Sequence, residues 1–76
     1  MENLHFKTTT TVIFDDERHN PETIDEMFDL LHIPKTEEYT EARYSVMRYL
    51  IAFRHVDLSA AYPGHSCHVY LKMECE

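Results

Sequence analysis

Two runs of alternating residues, Leu4 to Phe14 and Ser66 to Cys75, stand near opposite ends of a 76-residue chain and constrain its fold more than anything between them. In the first, Leu4, Phe6, Thr8, Thr10, Val12 and Phe14 fall on one face, and His5, Lys7, Thr9, Thr11 and Ile13 on the other. Thr, Val, Ile and Phe favour strands, and no Gly or Pro interrupts them. In the second, Cys67, Val69, Leu71, Met73 and Cys75 form the core face, opposite Ser66, His68, Tyr70, Lys72 and Glu74. Neither strand is stable unpaired, so the simplest prediction sets them side by side and antiparallel.

Helical spacing fills the interval. The cluster Asp15 to Asn20 ends the first strand, and Asn20 is expected to cap a helix with Pro21 at its first position. Ile24, Met27, Phe28 and Leu31 then recur on one helical face, with Glu22, Asp25, Glu26 and Asp29 on the opposite one. Pro34 stops this helix, and Thr36 is expected to cap a second over Glu37 to Arg54. Early Glu37, Glu38 and Glu41 followed by Arg43, Arg48 and Arg54 suit the second helix's dipole. Its stripe is Tyr39, Ala42, Val46, Leu50 (or Tyr49) and Phe53, widened by Tyr44, Met47 and Ile51, which predicts contacts on two sides. Residues His55 to Gly64 connect it to the last strand through the turn signal Pro63-Gly64.

The predicted fold is therefore α+β, in the order β-α-α-β: one small domain over residues 1–76, an antiparallel helix hairpin packed on a small antiparallel sheet. A chain this short buries only about 60% of the surface it exposes when unfolded, and two strands make a marginal sheet. Two remedies are open. A twofold homodimer can pair the exposed edge of the first strand into a four-stranded sheet, or a third short strand can form within Val56 to Tyr62.

Charge is unevenly placed. From Asp15 to Glu41 there are ten acidic residues against Arg18 and Lys35, a balance of −8, whereas the rest of the chain carries four acids against five bases. The net charge of −7 argues against unaided binding to nucleic acid or to anionic membrane. The uncharged run Thr8 to Phe14 is too short for a membrane span, and no targeting segment is visible, so a soluble cytoplasmic protein is expected.

Chemistry-bearing patterns are sparse. His65, Cys67, His68 and Cys75, with His5 as an outside candidate, make the densest metal-ligand group. Alternation points Cys67 and Cys75 one way and His68 the other, whereas zinc needs four converging ligands, so the expectation is no metal and no cofactor. Two cysteines without a secretory signal read as reduced thiols. A lone Gly64 excludes a phosphate-cradling loop or a dinucleotide fingerprint, and a chain this small has little room for a catalytic pocket, so no enzyme is expected. Tyr44, Arg48 and Ile51 with Arg43 and Arg54 come nearest to a base-stacking surface, but their dipole-matched spacing reads as the flank of a core helix.

The acidic surface remains the sharpest feature. Asp15, Asp16, Glu17, Glu22, Asp25, Glu26 and Asp29 are the candidate partner-binding residues, since like charges at helical spacing repel and persist at a small cost in stability. In size, acidity and lack of catalytic parts the chain resembles the small proteins that bacteriophages and mobile elements encode to inhibit host machinery, anti-CRISPR and anti-restriction inhibitors among them. That likeness is one of type and involves no shared motif. It implies an inhibitor docking its acidic helix and loop on a basic, nucleic-acid-associated host protein, by imitating the charge of a nucleic acid. The rival expectations are a structural or regulatory subunit acting through sheet-edge dimerisation, and a small metal-binding protein.

Overall fold

The two alternating runs pair with each other along their whole described length. The structure, a computed structural model, describes residues 6–75, so Leu4 and His5 of the expected first strand lie outside the described residues. Strand β1 (Phe6–Phe14) runs antiparallel to β4 (Cys67–Cys75), from Phe6 opposite Cys75 to Phe14 opposite Cys67. Two short strands flank this ribbon: β2 (Glu17–His19) on β1 and β3 (His55–Asp57) on β4. The result is one four-stranded antiparallel sheet in the order β2-β1-β4-β3. Two helices, α1 (Ile24–Leu30) and α2 (Thr40–Phe53), complete a small α+β domain.

The element order is thus β-β-α-α-β-β, a correction at two places. The cluster Asp15 to Asn20 is not merely a turn. Asp15 and Asp16 take positive φ values of 49° and 67°, which match a two-residue hairpin of type I′, and the chain returns as β2 with Glu17 opposite Phe14. Charged Glu17 and Arg18 hide its strand character from propensity, and charge on a short edge strand guards it against further pairing. The short strand left open as the alternative to dimerisation exists as β3, but it begins at His55 and ends at Asp57, giving way to a 3-10 turn at Ser59–Ala61.

Helix α1 starts later than expected. Its N-cap is Thr23, not Asn20: the Thr23 hydroxyl accepts from the Glu26 N–H at 3.1 Å, while the Glu26 carboxylate accepts from the Glu22 N–H at 2.9 Å. Asn20 is instead engaged by the Thr11 hydroxyl, which donates to its side-chain oxygen at 3.0 Å. The helix closes with the Ile33 N–H on the Phe28 carbonyl and the His32 N–H on that of Asp29, with His32 left-handed at φ 58°. That is a Schellman close, reached before Pro34. A 3-10 turn at Glu37–Tyr39 leads into α2, where the Thr36 side chain makes no cap; its carbonyl accepts from the Tyr39 N–H instead.

The core is Val12 from β1, Cys67, Val69 and Leu71 from β4, Met27, Phe28 and Leu31 from α1 and its close, and Val46 and Leu50 from α2. Thr10 is buried with them. The expected inward faces hold at the centre and fail at the ends. Met73 is 41% exposed, and Thr8 and Cys75 are exposed, because the helix layer reaches no further than the row of Thr10 and Leu71. Tyr39 and Ala42 are also exposed, and Phe53 is 69% exposed and leans on Tyr49, since the chain turns into β3 directly after it, through Arg54 at φ 62°.

Leu50→Ala is expected to lower the unfolding free energy by about 3 kcal/mol, and Phe53→Ala, on the same sequence stripe, by less than about 1 kcal/mol. Urea denaturation of both variants checks this; equal losses would contradict the packing described.

Candidate functional site

The acidic candidates lie on the β1–β2 turn (Asp15, Asp16), on β2 (Glu17), ahead of α1 (Glu22) and on α1 itself (Asp25, Glu26, Asp29). All seven are exposed, yet their roles differ. Asp15 is committed to the fold: its carboxylate accepts from the Ser66 N–H at 2.9 Å and contacts His65 Nδ1 at 2.6 Å, while its own N–H donates to the Ser66 carbonyl at 2.8 Å. The Ser66 amide foremost, and then His65, hold its pKa below the ordinary value of 3.8. Beside this clamp, Phe14 packs against both His65 and Tyr62, and the Tyr62 hydroxyl donates to the Leu31 carbonyl, tying the loop ahead of β4 to the C-cap of α1.

Glu26 is likewise occupied as the capping carboxylate of α1, and Asp25 lies 3.4 Å from Lys35 with both side chains exposed. An ion pair so solvated contributes at most about 1 kcal/mol. Glu17 sits 3.9 Å from His19. Glu22 precedes α1 rather than lying on its stripe, so the expected four-residue acidic face on one helix shortens to Asp25, Glu26 and Asp29. Asp16, Glu22 and Asp29 form no ion pair among the described residues. Asp16 is notable for its backbone, because the second central position of a type I′ turn favours glycine and here holds a carboxylate.

The metal-ligand candidates are dispersed. Cys67 is buried in the core, where desolvation foremost, with the charges of Asp57 and Asp15, pushes its thiol above the ordinary value of 9.0. His65 is held by Asp15, His68 faces the opposite side of the sheet, Cys75 ends β4, and His5 is outside the described residues. Among the described residues no three His, Cys, Asp or Glu side chains converge as metal ligands. Of the proposed stacking residues, Arg43 donates to the Pro34 and Thr36 carbonyls, and Arg54 to that of Ile51.

No family model, curated protein or solved structure matches this chain.

One cluster escapes a reading of the sequence. On the sheet face away from the helices, His55 Nε2 lies 3.1 Å from His68 Nδ1, with the rings 12° from parallel and their centroids 5.3 Å apart. The centroid separation exceeds the N···N distance by about the two centroid-to-nitrogen radii, so the rings meet edge to edge in an in-line N–H···N bond rather than face over face. Such a bond directs both nitrogens at one another and leaves no place for an ion between them. Tyr70 stacks on His55 at 4.7 Å, and Asp57 stands opposite His68, its carboxylate held by the Ser59 N–H. The alternation His55-Val56-Asp57 is the signal that could have placed His55 on a strand beside β4.

Asp15 yields a pH prediction. Above 3.8 its carboxylate is ionised in folded and unfolded chains alike, and its hydrogen bonds contribute in full. As pH falls below that value the unfolded chain binds the proton first, and the contribution is lost through the depressed folded value. Asp15→Asn should therefore be less stable at neutral pH and show a shallower loss below about pH 4 than the parent. Thermal melts across that range test the sign, and parallel curves would refute it.

Proposed function

We propose that this protein is a small binding inhibitor or regulator of the kind phages and mobile elements encode, which docks its acidic turn and first helix on a basic, nucleic-acid-associated host protein. The observation that carries the reading is the lack of local compensation. Lys35 is the one Lys or Arg within ion-pair distance of any of the seven carboxylates among the described residues, and all seven face solvent. A fold that needed these positions only for solubility could mix signs evenly there; a predominantly acidic surface, with Arg18 and Lys35 its only Lys or Arg from Asp15 to Glu41, speeds and orients docking to a basic one. Asp16 adds support, because its left-handed position favours glycine and keeps a charge instead.

Sheet-edge dimerisation is a second reading, favoured by the edge of β1 on which, among the described residues, β2 pairs only from Val12 onward. The two differ in salt response. Docking through exposed acids weakens as salt screens beyond about 10 Å at 0.1 M, whereas association of two chains each of charge −7 is helped by screening.

The structure directs the test away from Glu26 and Asp15, whose loss would disturb the helix cap and the β4 clamp. A triple variant, Asp16→Asn, Glu22→Gln and Asp29→Asn, is expected to stay within about 0.5 kcal/mol of the parent stability. It should capture its basic partner from bacterial extract at least about tenfold more weakly at low salt. Retention of the same partner with unchanged association rate would eliminate the acidic surface as the docking site.

A further inference from the structure

We infer that the open edge of β1 is a self-association surface, on which a second copy adds antiparallel about a twofold axis at Thr8. The inference rests on the dimerisation reading and fixes its register. The turn at Asp15 and Asp16 makes Phe14 and Glu17 a hydrogen-bonded pair, so the backbone groups of Phe14 and Val12 point toward β2. The Asp15 N–H points the other way, to the Ser66 carbonyl. Strand backbone groups alternate in direction, so those of Lys7, Thr9, Thr11 and Ile13 face β4, and those of Phe6, Thr8 and Thr10 face the side where β2 has ended. No described residue pairs with β1 on that side before Val12.

An antiparallel copy can answer these groups in few ways. Centring the pairing on Thr8 sets Thr8 against Thr8, Phe6 against Thr10 and Lys7 against Thr9, and engages all three open residues of each copy. Centring it on Lys7 would oppose Lys7 to Lys7, which like charges disfavour. Centring it on Thr9 would set Phe6 against Val12, which β2 already holds. At the centre of that register there is steric room, since burial by the helices ends with Thr10 and Leu71 and leaves the row of Thr8 and Met73 uncovered. Charge permits the approach as well: this end of the ribbon carries Lys7, Lys72 and Glu74, and the acidic excess lies in the Asp15 to Glu41 stretch.

The parity of the backbone supplies the test. Thr8→Pro removes an N–H that faces the open edge and leaves the β1–β4 ladder intact, so the variant should fold and sediment as a 9.1 kDa monomer under conditions where the parent is a dimer. For the register, Thr8→Cys in a Cys75→Ser background should cross-link to a covalent dimer with oxidised glutathione. Opposed Cα atoms of a hydrogen-bonded pair lie about 5.5 Å apart, within disulfide range. Thr11→Cys in the same background should not, because its two copies would stand about 20 Å apart along the strands. Raising salt should strengthen the parent dimer. A parent that stays monomeric at about 100 μM, well above the micromolar affinity of an ordinary specific contact, overturns self-association itself. A dimer that Thr8→Pro leaves intact, or that cross-links at Thr11 as readily as at Thr8, overturns the edge and register alone and locates the contact elsewhere. Should Thr8→Pro not fold, the cross-linking pair decides. Neither outcome bears on the acidic surface, whose triple variant leaves β1 untouched.

Discussion

The β1–β4 ladder is the interaction on which the rest of the structure depends. It joins the two long strands from opposite ends of the chain, so every intervening element folds as a closed excursion from it. Closing so long a loop is unfavourable until the apolar faces meet, and here they meet at Val12 opposite Val69, both fully buried, with Leu71 opposite Thr10 beside them. The Asp15 clamp secures the end of the ladder nearest the core, where the β1–β2 turn would otherwise splay from the start of β4. The short strands then follow. β2 is a two-residue hairpin return, and β3 is laid against β4 by the left-handed Arg54, whose carbonyl accepts from the Leu71 N–H.

A ladder this long and a helix layer this short do not match. Helix α1 has 7 residues and α2 has 14, and together they cover the sheet only from Leu71 and Thr10 toward the clamp. The mismatch leaves surplus surface at two places. Tyr44, Ile51 and Phe53 of α2 stand exposed, and one end of the β1–β4 ribbon projects past the core with Thr8 and Met73 uncovered. The first is scattered apolar surface of the ordinary kind. The second also has β1 backbone groups that no described strand pairs, which natural sheets seldom leave without a charge, a bulge or a cover, and the charge β1 offers is Lys7.

What the sequence made legible follows from the reach of each signal. Period-two alternation needs no partner to be seen, and it placed β1, β4 and their inner faces from Thr10 to Phe14 and from Cys67 to Leu71. It could not say where the cover would stop, so Met73 and Cys75 were assigned inward. Three-residue strands fall below the length at which any period is visible, which hid β2 and left β3 as a short-strand alternative placed one residue late. Asn20 was expected to cap α1, but Thr23 does so: its hydroxyl takes the Glu26 N–H, the Glu26 carboxylate takes the Glu22 N–H, and Asn20 is engaged by Thr11 instead. At the candidate site, composition found the acidic stretch but not its division of labour. The partner of Asp15 lies fifty residues away at His65, and that of His55 at His68, distances over which no local pattern carries information.

The division of charge along the chain gives these parts a common logic. The segment from Asp15 to Glu41, with its balance of −8, spans the turn, β2, α1 and the start of α2, whereas the long strands are close to neutral and the rest of α2 is basic through Arg43 and Arg48. A sheet carrying such charge along its ladder would resist any added strand; placing the charge in the excursions leaves the ladder free to pair. Conversely, the excursions hold their acids on short elements tied down by Thr23, Glu26 and the Asp15 clamp, with Lys35 beside Asp25 and His65 beside Asp15. Asp16, Glu22 and Asp29, whose carboxylates form no ion pair among the described residues, are the acids that this arrangement leaves to solvent.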